Sequence, residues 1–110
     1  MNNQEPIKSL ESIDLSYCTI LDKNFSGVKF NGANFRGARF NNVDFTGASF
    51  VNCDFSESRL TDCELDHAHA HMTDFSLTIF ESCSVHPSVA SIIITQTLAL
   101  STAISVLKTL

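Results

Sequence analysis

Basic residues are scarce in this sequence. Its 110 residues include seven lysines and arginines against twelve aspartates and glutamates, a formal charge of −5. So few cations argue against direct nucleic-acid binding, because phosphate recognition needs a basic face. An apolar h-region is also missing from the start. Met1 to Glu11 are polar, and no secretory signal peptide is expected there. Nor does the chain contain a glycine-rich phosphate loop, a Gly-x-Ser-x-Gly elbow or a His-Glu-x-x-His motif. With no catalytic constellation in view, the chain reads as a non-enzymatic interaction module without cofactor or metal. Its length suits one domain.

What is present is a period of five. All nine phenylalanines fall in one class of residue number modulo five: Phe25, Phe30, Phe35, Phe40, Phe45, Phe50, Phe55, Phe75 and Phe80. Leu15, Ile20, Leu60, Leu65 and Val85 fill most of the other slots, and only Ala70 is small. Two residues earlier runs a class of mostly small or apolar residues, which includes all four cysteines: Cys18, Cys53, Cys63 and Cys83. All four glycines (Gly27, Gly32, Gly37 and Gly47) lie two residues after the large class. Five fits neither the helical period of about 3.6 nor the strand period of about 2. Each unit must therefore turn a corner. Two residues point in, and a conformationally tolerant residue stands at the bend.

Runs such as Ala33-Asn34-Phe35-Arg36-Gly37 and Ala48-Ser49-Phe50-Val51-Asn52 resemble the pentapeptide-repeat family, over residues 13–87. The resemblance implies an all-β solenoid: a right-handed quadrilateral β-helix with four pentapeptides per coil. The fifteen units of this stretch make just under four coils. At about 4.8 Å between stacked strands, the solenoid would stand roughly 18 Å tall. Such a stack needs both ends covered. Residues 1–12 are expected as an N-terminal cap and 88–110 as a C-terminal capping or dimerisation helix.

Residues twenty apart should stack on one face. Asp14, Asn34, Asp54 and Asp74 then share one wall, and Asn24, Asp44 and Glu64 the opposite wall. A third wall carries Arg39 above Arg59, and the fourth Lys29, Ser49 and His69. The two acidic faces are candidate binding surfaces, since stacked like charges cost stability. His67, His69 and His71 form the most unusual local composition, with Glu64, Asp66 and Asp74 as possible further metal ligands. An exposed polar patch without stoichiometric metal is expected, with His86 stacked over Asp66. All four cysteines are expected inward. Cys63 and Cys83 would stack, but parallel side chains hold their Cβ atoms too far apart for an unstrained disulfide. Free thiols point to a reducing compartment, hence the cytoplasm. Lys23 takes an inward slot in the first full coil, where its stem can snorkel off the end. Ala70 would leave a void unless Met72 or the C-terminal segment fills it.

Pro87 ends the repeats. From Val89 to Leu107, nineteen residues carry no charge. That is long enough to span a membrane, but Ser, Thr and Gln are frequent, and a membrane anchor is the lesser alternative. Ile93, Gln96, Leu100, Ala103 and Leu107 form a heptad-like seam behind Ser88 as N-cap. The seam is expected to cap the solenoid or dimerise it, with Gln96 pairing to its symmetry mate. The resulting reading is a protein–protein interaction scaffold, homodimeric, whose partner the residues do not name. The family resemblance adds one alternative, an acidic DNA mimic that binds a type II topoisomerase (DNA gyrase). The solenoid's short length and its lack of a projecting loop count against that. A bacterial secreted effector, or a fragment of one, and a membrane-anchored repeat protein are further alternatives.

Overall fold

The computed structural model describes residues 8–96. Ten short strands precede one helix: β1 Ser9–Glu11, β2 Thr19–Leu21, β3 Lys29–Asn31, β4 Arg39–Asn41, β5 Ser49–Val51, β6 Arg59–Thr61, β7 Glu64–Leu65, β8 His69–His71, β9 Ile79–Glu81, β10 Ser84–Val85 and α1 Pro87–Gln96. They wind into a β-solenoid of about four turns. Two four-stranded parallel sheets, β1-β3-β5-β8 and β2-β4-β6-β9, form opposite walls. Single bridges Asp14–Asn34–Asp54–Asp74 make the third wall. Bridges Asn24–Asp44–Glu64 and the β7–β10 pair make the fourth. Every pairing joins residues twenty apart, for example Arg39 with Arg59 and Phe30 with Phe50.

The local chemistry explains the square section. Each three-residue strand turns its central side chain inward, buried except in β1 and β8, and its flanking residues outward. Each corner residue, from Ser12 through Ser82 in steps of five, has positive φ between 52° and 72°. Four of these are glycines; the other eleven bear side chains in a backbone region that disfavours them. Stacking compensates. Corners from Ser12 to Asp62 are held to the next coil by backbone bonds, as Ser12 N–H to the Asn31 carbonyl and Tyr17 N–H to the Arg36 carbonyl, both 2.8 Å.

Phenylalanines fill the interior. Phe35, Phe55 and Phe75 stack at centroid separations of 4.6 and 5.1 Å. Phe30 lies on Phe50 at 5.4 Å and Phe25 on Phe45 at 5.7 Å. Phe40 sits edge-on to Phe45 at 5.3 Å, and Phe80 lies 6.3 Å from Phe75. All are fully buried except Phe25, which is half-buried in the first coils. The small inward class also satisfies backbone. Cys53, Cys63, Thr73 and Cys83 donate to the carbonyls of Phe30, Phe40, Phe50 and Leu60, each twenty-three residues earlier.

Three expectations change. The solenoid begins at Ser9 instead of residue 13, because Leu10 continues the large class and stacks beneath Phe30. Cys18 is exposed, not inward, because it lies in the first coil with no described coil outside it. Lys23, in the same coil, is exposed, which agrees with a stem that snorkels off the end. Met72 does not fill the space over Ala70; it is 74% exposed at a corner. Helix α1 packs against β8 instead, and buries Val89, Ala90 and Ile93.

Candidate interaction faces

The acidic walls are part of the folding machinery. Asp14, Asp54 and Asp74 each accept with Oδ1 from the backbone N–H and the hydroxyl of the serine two residues on. Asn24, Asn34 and Asp44 accept the same backbone bond from Ser26, Arg36 and Thr46 at 2.9 Å. These are Asx turns. They precede the corners closed by a bond such as Ala38 N–H to the Phe35 carbonyl, 3.0 Å. The intervening corners lack such a bond among the described residues, so the true period of the polar residues is ten. That alternation was legible: Asp or Asn at 14, 24, 34, 44, 54 and 74, but not at 19, 29 or 39. The two bonds from Ser16, hydroxyl first and then backbone, hold the Asp14 carboxyl below its ordinary value. Glu64 departs from the rule and heads the two-residue strand β7.

The β2-β4-β6-β9 wall is different. Its outward rows read Thr19, Arg39, Arg59, Ile79 and Leu21, Asn41, Thr61, Glu81. Between them lies an open groove of about 280 Å³, floored by Phe40. Arg59 pairs with Glu81 at 3.1 Å. Among the described residues Arg39 has no ion-pair partner. On the neighbouring corner Arg36 donates to the Tyr17 hydroxyl at 3.2 Å and pairs with Glu57 at 2.8 Å, tying three coils together.

Histidines gather otherwise than the spacing suggests. His86 lies 5.9 Å from His67 and 5.7 Å from His69 between ring centroids. Its backbone N–H donates to the Leu65 carbonyl at 3.3 Å, which continues the β7–β10 register that sets residue 86 over Asp66, while Asp66 accepts from the Ser84 hydroxyl at 3.1 Å. His86 Nδ1 accepts from Ser88 N–H at 3.2 Å, so His86, not Ser88, caps α1. Pro87 takes the first helical position, where no N–H is needed. Among the described residues no three His, Cys, Asp or Glu side chains are grouped to hold a metal ion.

At the closed end, Gln96 replaces a missing strand. Its Oε1 accepts from Phe75 N–H at 2.7 Å and its Nε2 donates to the Thr73 carbonyl at 2.9 Å. The side-chain amide thus occupies the backbone sites on either side of Asp74 that a further coil would use. It is therefore not free to pair with a symmetry mate. Ile93 is buried on the same end, while Leu100, Ala103 and Leu107 lie outside the described residues. No described helix is long and apolar enough to cross a membrane.

A four-walled stack of five-residue units defines a repeat-solenoid protein. The family model for pentapeptide repeats matches residues 9–47, 24–62 and 44–81, with eight copies, and the chain belongs to that family. A pentapeptide repeat protein from the Arabidopsis thaliana thylakoid lumen is similar in structure, at TM-score 0.53 and 17% identity, over 94% of this chain and 90% of that one. At that identity the likeness shows the fold. QnrB1, a plasmid-mediated fluoroquinolone resistance protein, aligns at 13% identity over 73% of each chain with a TM-score of 0.17, and carries no argument. No curated protein matches the chain.

Proposed function

We propose that this protein is a non-enzymatic scaffold whose flat walls bind a protein partner. The observation that carries the reading is the in-register outward rows of the two four-stranded sheets. Stacking fixes their side chains at regular spacing on a rigid support, so little ordering entropy is lost on binding. The large apolar residues are mostly spent inside, which leaves recognition to polar and charged rows. The DNA-mimic alternative draws on the acidic walls, but Asn34 interrupts one of them and each Asx-turn carboxylate has an oxygen engaged locally. Self-association through residues 88–110 belongs to the same proposal, with Gln96 serving the cap instead of the seam. Four free cysteines favour a reducing compartment such as the cytoplasm. The test is affinity capture with the intact chain, then reconstitution with the purified captured protein and cross-link mapping. A saturable complex with cross-links on the sheet walls is expected; failure of every captured protein to reconstitute would sink the reading.

A further inference from the structure

We infer that the groove on the β2-β4-β6 wall is the docking site for an extended acidic segment of the partner protein, an assignment that rests on the scaffold reading above. Parallel pairing in register sets Arg39 directly beside Arg59. Like charges on neighbouring strands repel, and the described residues neutralise only one of them, Arg59 through Glu81. The chain carries a formal charge of −5, so two arginines stacked on one wall stand out on an acidic molecule. A carboxylate seated between the two guanidiniums relieves the repulsion and accepts paired N–H bonds from planar donors. Across the groove, Asn41 and Thr61 present an amide and a hydroxyl to the backbone of an extended chain. Leu21, 53% exposed, adds an apolar contact at the β2 end. Glu81 closes the other end to anions, so the site takes a short segment whose carboxylates face Arg39 and whose aliphatic residue faces Leu21. Nucleic acid is disfavoured, because two cations bounded by Glu81 cannot follow a phosphate backbone.

The experiment is fluorescence anisotropy with the full chain and a labelled octapeptide of alternating glutamate and leucine. Saturable one-to-one binding is expected, weakened at least about tenfold by Arg39→Glu and less by Arg39→Lys, which keeps charge but loses the fork. Lys29→Glu makes the same charge change on the opposite wall and should leave binding unaltered. Thermal melts confirm that each variant is folded. Three results with the peptide would overturn the assignment: no saturation up to about 1 mM peptide, an equal loss in Lys29→Glu, or equal affinity for an oligothymidylate of the same charge. The captured partner separates this proposal from the one beneath it. If Arg39→Glu captures that partner as well as the unaltered chain does, the groove assignment fails and the scaffold reading stands. Loss of capture in Arg39→Glu alone supports the groove.

Discussion

The ring of Tyr17 covers Gly37, twenty residues later and one coil further on. A Cβ at position 37 would collide with ring carbons Cδ1 and Cε1 of Tyr17, and Gly37 has φ +66°. The tyrosine hydroxyl in turn accepts from Arg36. Gly37→Ala should therefore cost about 2–3 kcal/mol, from backbone strain plus overpacking. Gly27 has φ +72°, and a Cβ there would meet nothing within 4 Å. Gly27→Ala should cost only about 1 kcal/mol. Urea melts of both, with Tyr17→Ala added to each, check the difference. Tyr17→Ala should rescue part of Gly37→Ala and none of Gly27→Ala.

Phe55 is packed between Phe35 and Phe75 with no exposure. Phe55→Ala should cost about 3–5 kcal/mol. The half-buried Phe25 should cost less on the same change, about 2 kcal/mol. Equal losses in denaturant titrations would contradict the described burial.

Gln96→Ala should leave Phe75 N–H and the Thr73 carbonyl without their protein partner, at a cost of about 1–3 kcal/mol. Hydrogen exchange at the Phe75 amide should accelerate, while exchange at Phe35 stays slow. Gln96→Glu keeps the acceptor for Phe75 but loses the donor to Thr73 and should fall between. Light scattering on the full chain and on a chain ending at residue 87 tests the proposed self-association. A monomer in both, with equal melting temperatures, would remove both cap and dimer.

Thiol reactivity should split one to three. Cys18 is exposed and should label quickly without denaturant. Burial pushes the Cys53 thiol up. The hydrogen bond with Cys63, together with burial, raises that of Cys83. Both should react only on unfolding, as should the buried Cys63.

Asp14 gives the pH dependence a direction. Its carboxyl lies below the ordinary 3.8 because Ser16 donates twice to the charged form. A depressed folded value means the stabilisation is present above the unfolded value and lost as pH falls through the folded one. Carboxyl carbon shifts followed by NMR should show Asp14 titrating low, and Ser16→Ala should move it back up. An unshifted Asp14 in the native chain would contradict the Asx turn.

The repeat itself was legible because its cause is local. A large residue every fifth position, a small one two before it and a tolerant corner two after it can be packed in few ways. The resemblance to pentapeptide repeats, with four units per coil, then supplied the twenty-residue stacking, the walls and the pairing of Arg39 with Arg59. Asp14, Asp54 and Asp74 were placed on the right wall, but their use was hidden by reading modulo five. A ten-residue period carries the Asx turns, since only alternate corners close with a local bond.

The sequence by itself thus determined the period and, outside the first coil, which residues face in, because each repeat repeats the same short-range constraint; the four-unit coil came through the family resemblance. Tertiary structure decided the ends and the surface. Leu10 joins the solenoid because Phe30 lies above it, and Cys18 is exposed because no described coil lies outside it. His86 turns to His67 and His69 because it caps a helix. Gln96, which looks like one position in a seam, serves as a strand because α1 brings its amide to the unpaired backbone of Thr73 and Phe75. Such roles depend on what lies across an end or a groove, and periodicity within the chain does not encode that.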